Sequence, residues 1–234
     1  MKIGGIQKLS LVDYPGKTCA AIFTIGCNMR CGYCHNPELV LPERYADAIP
    51  VDDILQFLKK RVGKLEGVVI SGGEPTMHDD LPELFAKIKQ LGFFTKLDSN
   101  GTHPAMIKEL LDRKLVDYIA MDIKGPLEKY QEIIAYPIDF EAVKQSIELI
   151  LESDIDFEFR TTVVKSQLLF DKNKNDDFDK IGSLIAGAPR FALQRFRSGR
   201  TLNPRFERET TYSDEDFELI KKKMEKYVDL CVIH

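Results

Sequence analysis

Six short apolar runs, at 19–25, 68–71, 93–98, 118–121, 157–164 and 191–196, alternate with longer segments of helical period, and nothing else in the chain restricts its fold as much. Each is compatible with a strand buried on both faces. The intervening segments 51–62, 80–91, 104–113, 140–152 and 177–185 read as helices, several opened by Asp, Pro or Thr. In one of them Phe140, Val143, Ile147 and Ile150 form a single stripe while Glu141, Lys144 and Glu148 face away, the pattern of a helix covering a sheet. Alternating strand and helix predicts parallel strands with right-handed crossovers, and six such units suit an open partial (β/α)6 barrel better than a closed eight-stranded one. The expectation is an α/β fold in one domain, residues 1–234. An N-terminal hairpin at about 1–17 turns on Pro15-Gly16, and a C-terminal helix at about 213–228 has Ser213 as N-cap with Phe217, Ile220 and Met224 on one face. The polar run 171–177 reads as a solvated, mobile loop.

In a barrel of parallel strands the loops after the strands share one rim, so reactive groups are sought there. The first run is followed by Gly26-Cys27-Asn28-Met29-Arg30-Cys31-Gly32-Tyr33-Cys34-His35-Asn36-Pro37. Three thiolates on one loop make a site for a soft metal centre. Ferredoxin-type clusters take four, so Cys27, Cys31 and Cys34 with no fourth cysteine nearby would leave one iron open to a substrate or cofactor. Two plainer readings stay open, a Cys3His zinc site using His35 or a turn merely lined by cysteines. Against zinc, His35 adjoins Cys34, a poor arrangement for two ligands of one tetrahedral ion, and no second ligand pair stands at a distance.

The other strand ends are polar as well. Ser71-Gly72-Gly73-Glu74-Pro75 lets backbone approach a ligand and offers a carboxylate to an ammonium group. Leu97-Asp98-Ser99-Asn100-Gly101 and Ala120-Met121-Asp122-Ile123-Lys124 each present a carboxylate; Lys124 has two readings, neutralising a cofactor carboxylate or pairing with Asp122. Arg160 lies inside an apolar strand, where a charge needs a structural carboxylate or a ligand. The sixth run ends Gln194-Arg195-Phe196-Arg197-Ser198-Gly199-Arg200, whose arginines are either a solvated face or a docking surface for an acidic protein.

Composition removes some function classes. A formal net charge of −4 leaves no basic footprint for nucleic acid, and no run of ~18 apolar residues suggests a membrane span. The first residues lack the apolar segment of a secretion signal, so a cytoplasmic home is expected. Five cysteines, three of them bunched, suit a reducing compartment; Cys19 and Cys231 lie in apolar runs and read as core thiols, leaving thiols for one cluster only.

The C-x3-C-x2-C run, with Tyr33 before its third cysteine and His35-Asn36-Pro37 after it, resembles the motif of radical S-adenosylmethionine (SAM) enzymes, specifically the glycyl-radical-enzyme activases. The likeness extends over almost the whole chain, to the activases of anaerobic ribonucleotide reductase and of pyruvate formate-lyase, nearer the former in its opening and its Tyr-Cys-His-Asn-Pro run. It implies a partial (β/α)6 barrel and one 4Fe-4S cluster on Cys27, Cys31 and Cys34, chelated by SAM. It further implies a glycyl-radical enzyme as partner, with flavodoxin or ferredoxin as electron donor. In the family, reductive cleavage of SAM yields a 5′-deoxyadenosyl radical that takes hydrogen from a glycine; the cofactor does the hard chemistry, so no general base is assigned. Gly72, Gly73, Glu74 and Pro75 match the family's motif for the SAM amino group. Asp98, Ser99, Met121 and Asp122 resemble a monovalent-cation site, Tyr33 the position against adenine, and Arg160 an arginine near the cofactor, with Gln194 the best candidate for the adenosyl part. A similar Asp-x-Pro-Gly turn lies over the barrel mouth in the family, which would bring Asp13 toward the incoming peptide. Two alternatives stand beside this reading: a radical SAM enzyme acting on a small molecule, and a zinc-stabilised binding protein without catalysis.

Overall fold

The computed structural model describes all 234 residues. In chain order the elements are β1 (Ile3–Ser10), β2 (Cys19–Thr24), α1 (Pro37–Val40), α2 (Val51–Lys59), β3 (Gly67–Gly72), α3 (Leu81–Gln90), β4 (Phe94–Ser99), α4 (Pro104–Asp112) and β5 (Tyr118–Asp122). There follow α5 (Leu127–Ile134), α6 (Phe140–Leu151), β6 (Asp156–Val163), α7 (Asp177–Leu184), β7 (Phe191–Arg195), α8 (Asp214–Met224) and β8 (Cys231–Ile233). The six expected strands are β2 to β7, and the five expected helices and the C-terminal helix are present. No helix is long and apolar enough to cross a membrane.

The chain divides into two compact units, each built from several stretches. Unit 1 comprises Met1–Asn28, Asn36–Ala120 and Glu141–Asp156; unit 2 comprises Met29–His35, Met121–Phe140 and Phe157–His234. In unit 1, β2, β3 and β4 pair in parallel, with Thr24 opposite Gly72 and Ile70 opposite Leu97, so their C-terminal ends emerge together. Residues Ala20 to Ile22 and Val68 to Ile70 are almost wholly buried, the two-faced burial their unbroken apolar runs predicted. In unit 2, β6, β7 and β8 pair in parallel. The short β8 carries Cys231, which like Cys19 is a fully buried free thiol.

Two expectations need correction. The strand β1 runs antiparallel to β2, with Ser10 opposite Cys19 and Ile3 opposite Thr24. The turn bearing Asp13 therefore lies at the N-terminal end of β2, whereas the cysteine loop leaves its C-terminal end. The turn itself forms as predicted: Lys17 N–H donates to the Tyr14 carbonyl at 3.2 Å, and Gly16 takes φ +70°. The 171–177 segment is likewise more fastened than its polarity suggested. Asp176 caps α7, accepting from the backbone N–H of Phe178 and Asp179, and Lys223 reaches Asp176 at 3.0 Å and Asp179 at 2.5 Å. Carboxylates that turn inward to a helix terminus and an ammonium leave only 172–175 exposed.

Candidate cofactor site

The cysteine loop starts in unit 1, on the turn that ends β3. Gly73 N–H donates to the Thr24 carbonyl at 2.9 Å and Glu74 N–H to the Gly26 carbonyl at 2.7 Å, while Gly26 N–H donates to Leu39 at 2.8 Å. This approach is closed to any residue with a side chain. A Cβ on Gly73 would stand 1.9 Å from the Gly26 oxygen, and one on Gly72, at φ +117°, 2.3 Å from the Thr24 nitrogen. The two glycines thus seat the first residues of the loop that carries Cys27.

Glu74 is 1% exposed, and its carboxylate holds neighbouring loops. Oε1 accepts from Thr76 N–H at 3.1 Å, from the Thr76 hydroxyl and from the Ser99 hydroxyl at 2.8 Å; Oε2 accepts from Asn100 N–H at 2.6 Å. Burial pushes its carboxyl pKa up, and the hydrogen bonds from Thr76, Asn100 and Ser99 oppose that rise. The network continues beyond it. Asn28, next to Cys27, accepts from the Asn100 side-chain amide at 2.9 Å and donates to the Thr102 hydroxyl at 2.8 Å. His103 Nδ1 lies 3.1 Å from the Thr76 hydroxyl and 3.0 Å from that of Thr102. Sequence reasoning missed Asn28, Thr76, Asn100, Thr102 and His103, and Asn100-Gly101 by itself signals only a turn.

The loop ends in unit 2. Gly32 and Cys34 carbonyls accept from the backbone of Asn203 at 2.9 Å and Leu202 at 2.8 Å, Cys34 N–H donates to the Cys31 carbonyl at 3.0 Å, and Arg30 N–H to that of Ile134 at 2.8 Å. Phe206 forms a wall on which a Gly32 Cβ would stand only 2.4 Å from the ring. Tyr33, 6% exposed, lies edge-on to Phe196 and Phe206, and its hydroxyl is buried with no hydrogen-bond partner. Burial pushes the Cys31 thiol up, with the Lys124 charge pulling the other way. His35 stacks on Phe196 at 5.4 Å and its Nδ1 lies 3.0 Å from the Arg200 carbonyl, which ties the imidazole into packing.

Beyond the loop, Asp122 accepts from Arg160 Nε at 2.9 Å and from Lys124 Nζ at 3.0 Å. Burial acts to raise its pKa, but the two cations prevail and hold it at about 2. Of the two partners considered for Arg160 and Lys124, each here has the structural one. Gln194 accepts from the Thr162 hydroxyl at 3.3 Å. Arg195 pairs with Asp214 at 2.8 Å and covers the Phe217 ring at 4.1 Å, whereas Arg197 and Arg200 are exposed.

No three His, Cys, Asp or Glu side chains stand ready-formed around a metal position, so the fit to an iron–sulfur cluster rests on donor chemistry. That chemistry fits. None of the five cysteines is in a disulfide, and the three on this loop are soft ligands spaced within eight residues. Residues 21–180 match the radical SAM superfamily. A protein of Methanocaldococcus jannaschii, provisionally named a glycyl-radical enzyme activating enzyme, is 33% identical over 236 residues, 99% of this chain and 95% of its own. The chain belongs to the radical SAM superfamily, among the glycyl-radical activases. A pyruvate formate-lyase-activating enzyme of Listeria monocytogenes is 33% identical over 133 residues, 53% of each chain. Streptococcus suis SuiB, in a crystal structure with bound SAM, shares the fold at a TM-score of 0.65 and 15% identity, covering 90% of this chain and 48% of its own. The expected α/β fold class is thereby borne out, and membership of this family brings a 4Fe-4S cluster and SAM. Cys27, Cys31, Cys34, Gly72 and Gly73 lie within the matched residues; Gln194 lies outside them.

Proposed function

We propose that this chain installs a glycyl radical on a partner enzyme, with Cys27, Cys31 and Cys34 holding the cluster and SAM completing it. The observation that carries the reading is the loop's attachment: the segment leading into Cys27 is hydrogen-bonded onto the Gly72-Gly73-Glu74 turn at a distance only glycine permits. Held by Cys27, Cys31 and Cys34, the cluster would supply, when bound, the one-electron reductive cleavage of SAM on which hydrogen abstraction from glycine depends. The chain's own residues bind, orient and exclude water. The Gly72-Gly73 backbone, with Glu74 locked beneath it, serves the amino end of SAM. The buried faces of Tyr33 serve the adenine, and Asp98, Ser99, Asp122, Lys124, Arg160 and Gln194 serve the remaining polar groups. On this reading the partner is anaerobic ribonucleoside-triphosphate reductase, the donor is flavodoxin or ferredoxin, and the setting is the cytoplasm. The near full-length likeness to an activase supports a protein substrate over a small molecule, and the use of His35 in packing speaks against a Cys3His zinc site.

The test is anaerobic reconstitution with iron and sulfide followed by dithionite and SAM. We expect a brown protein that forms 5′-deoxyadenosine, loss of iron in Cys27→Ala, Cys31→Ala and Cys34→Ala, and a glycyl radical signal when the reductase is added. Tightly held zinc in colourless, anaerobically purified protein would overturn the cluster assignment. Cleavage of SAM with no radical on any glycyl-radical enzyme would overturn the partner alone.

A further inference from the structure

Strand β4 places a lysine in the interior of unit 1. Lys96 is 1% exposed, its ammonium lies 2.5 Å from Asp98 Oδ1, and the Tyr118 ring centroid is 5.8 Å away. It stands in register with the fully buried Val69 of β3. Burying an ammonium is costly, and an apolar residue of similar size is usually accommodated at least as well, so the charge itself calls for an explanation.

The resemblance places an exchangeable monovalent cation on Asp98, Ser99, Met121 and Asp122, and the residues of this chain do not fit one. Asp98 already has the Lys96 ammonium. The Ser99 hydroxyl donates to Glu74 at 2.8 Å and accepts from Gly101 N–H at 3.0 Å. In unit 2 the Asp122 carboxylate has two cations, Arg160 and Lys124. Each aspartate of the set is thus already paired, Asp98 with Lys96 and Asp122 with Arg160 and Lys124, so neither is left to draw in a further cation. An ammonium and a potassium ion share charge and similar size, and both accept hard oxygen partners.

We propose that Lys96 is the cation of the Asp98 carboxylate in unit 1: its ammonium supplies, covalently, the charge that an exchangeable Na+ or K+ would otherwise bring there. The protein then works independently of the monovalent salt in which it is dissolved. This rests on family membership and on the geometry of unit 1, and is independent of which enzyme is the partner.

The experiment uses the full chain, reconstituted anaerobically and freed of excess sulfide, at constant ionic strength in acetates of potassium, sodium or tetramethylammonium. Two quantities are read: 5′-deoxyadenosine formation, and the 205Tl NMR line of added Tl+, a spectroscopic stand-in for K+. Because screening is equal at one ionic strength, in wild type we expect rates equal within about twofold in the three salts and no saturable broadening of the thallium line. In Lys96→Met, which leaves Asp98 its charge, we expect saturable thallium broadening and a melting temperature raised by K+ but not by tetramethylammonium, since a cation that binds only the folded state stabilises it. Saturable thallium binding by wild type, or a wild-type rate that falls more than about tenfold when K+ is replaced, overturns the proposal. So does a folded Lys96→Met that neither binds thallium nor responds to K+. If that variant fails to fold, the wild-type thallium measurement decides the matter unaided. Wild type that cleaves no SAM in any salt bears on the proposed function instead, and the thallium line still reads out Lys96.

Discussion

The two ends of the cysteine loop are held by different physics. In unit 1 the approach to Cys27 rests on backbone: Gly26 lies against Gly73, and the buried carboxylate beneath, Glu74, is satisfied by neutral donors alone. In unit 2 the segment from Cys31 to Cys34 rests on an aromatic wall, and the carboxylate of Asp122 is satisfied by an arginine and a lysine. The pKa directions follow: Glu74 is pushed up because no cation offsets its burial, and Asp122 is pulled down to about 2 because two do. Backbone contacts cannot yield to a substitution, whereas rings and long side chains can. Unit 1 should therefore be the less forgiving of the two.

The largest effect is expected from Gly73→Ala. The new methyl meets a carbonyl oxygen at 1.9 Å, so β2 or the loop must move; we expect a loss of about 4 kcal/mol in urea unfolding and little iron retained on reconstitution. A variant as stable as wild type would show that the Gly26–Gly73 approach is not obligatory. Next is Glu74→Gln. Both carboxyl oxygens accept from a backbone N–H, Thr76 on one side and Asn100 on the other, so either orientation of the amide turns an NH2 toward an N–H. The cost should be about 3 kcal/mol, read in the same unfolding experiment, and a near-neutral change would mean that Glu74 does not carry those loops.

Asp122 sharpens the contrast through pH. Its folded pKa of about 2 lies below the ordinary 3.8, so it contributes stability that is fully present above about pH 4 and is lost as pH falls through 2. That contribution is about 2 kcal/mol. Asp122→Asn should therefore be less stable than wild type near neutrality, and the gap should close as acid titrates the wild-type carboxylate. Urea unfolding of both proteins across the acid range tests this. A gap that stays constant down to the lowest pH would mean the carboxylate is not held by Arg160 and Lys124.

Much of this arrangement could be read from residues alone. Each short apolar run became a strand within a residue or two of its expected ends, because burial of a strand leaves a pattern that surface segments do not share. The cysteine loop and the Gly-Gly turn declared themselves through residue types that are rarely clustered without cause. What stayed hidden is relational. Nothing in the residues of the Asp13 turn says which rim it faces; the resemblance set it over the barrel mouth, and the hairpin places it at the N-terminal end of β2. Lys96 lies inside the apolar run 93–98 and carries no mark of its burial in the sequence; only its pairing with Asp98, two residues along the same face, makes an interior position tolerable. Asn28, Asn100 and Thr102 are residue types found in any loop, and their mutual hydrogen bonds join positions more than seventy residues apart. The stretch of Leu202 to Phe206 has no period at all, yet it carries the wall of the cysteine loop.

That wall gives the smallest and most diagnostic effect. Gly32→Ala places a methyl 2.4 Å from Cε2 of Phe206, nominally almost as severe as the Gly73 clash, but the obstacle is a ring that can rotate on its own side chain. Phe206 lies in a short 3-10 turn at Pro204–Arg208 and touches Tyr33 edge-on at 6.4 Å, so its displacement would be absorbed by rings and not by strand backbone. We expect a cost of about 1 kcal/mol, with iron still bound at the three cysteines. Phe206→Leu, which shortens the wall, should recover part of that loss when combined with Gly32→Ala, because residues in contact are energetically coupled. If Gly32→Ala costs as much as Gly73→Ala, or the double variant shows no coupling, the aromatic end of the loop is as rigid as the backbone end and the contrast between the two units fails.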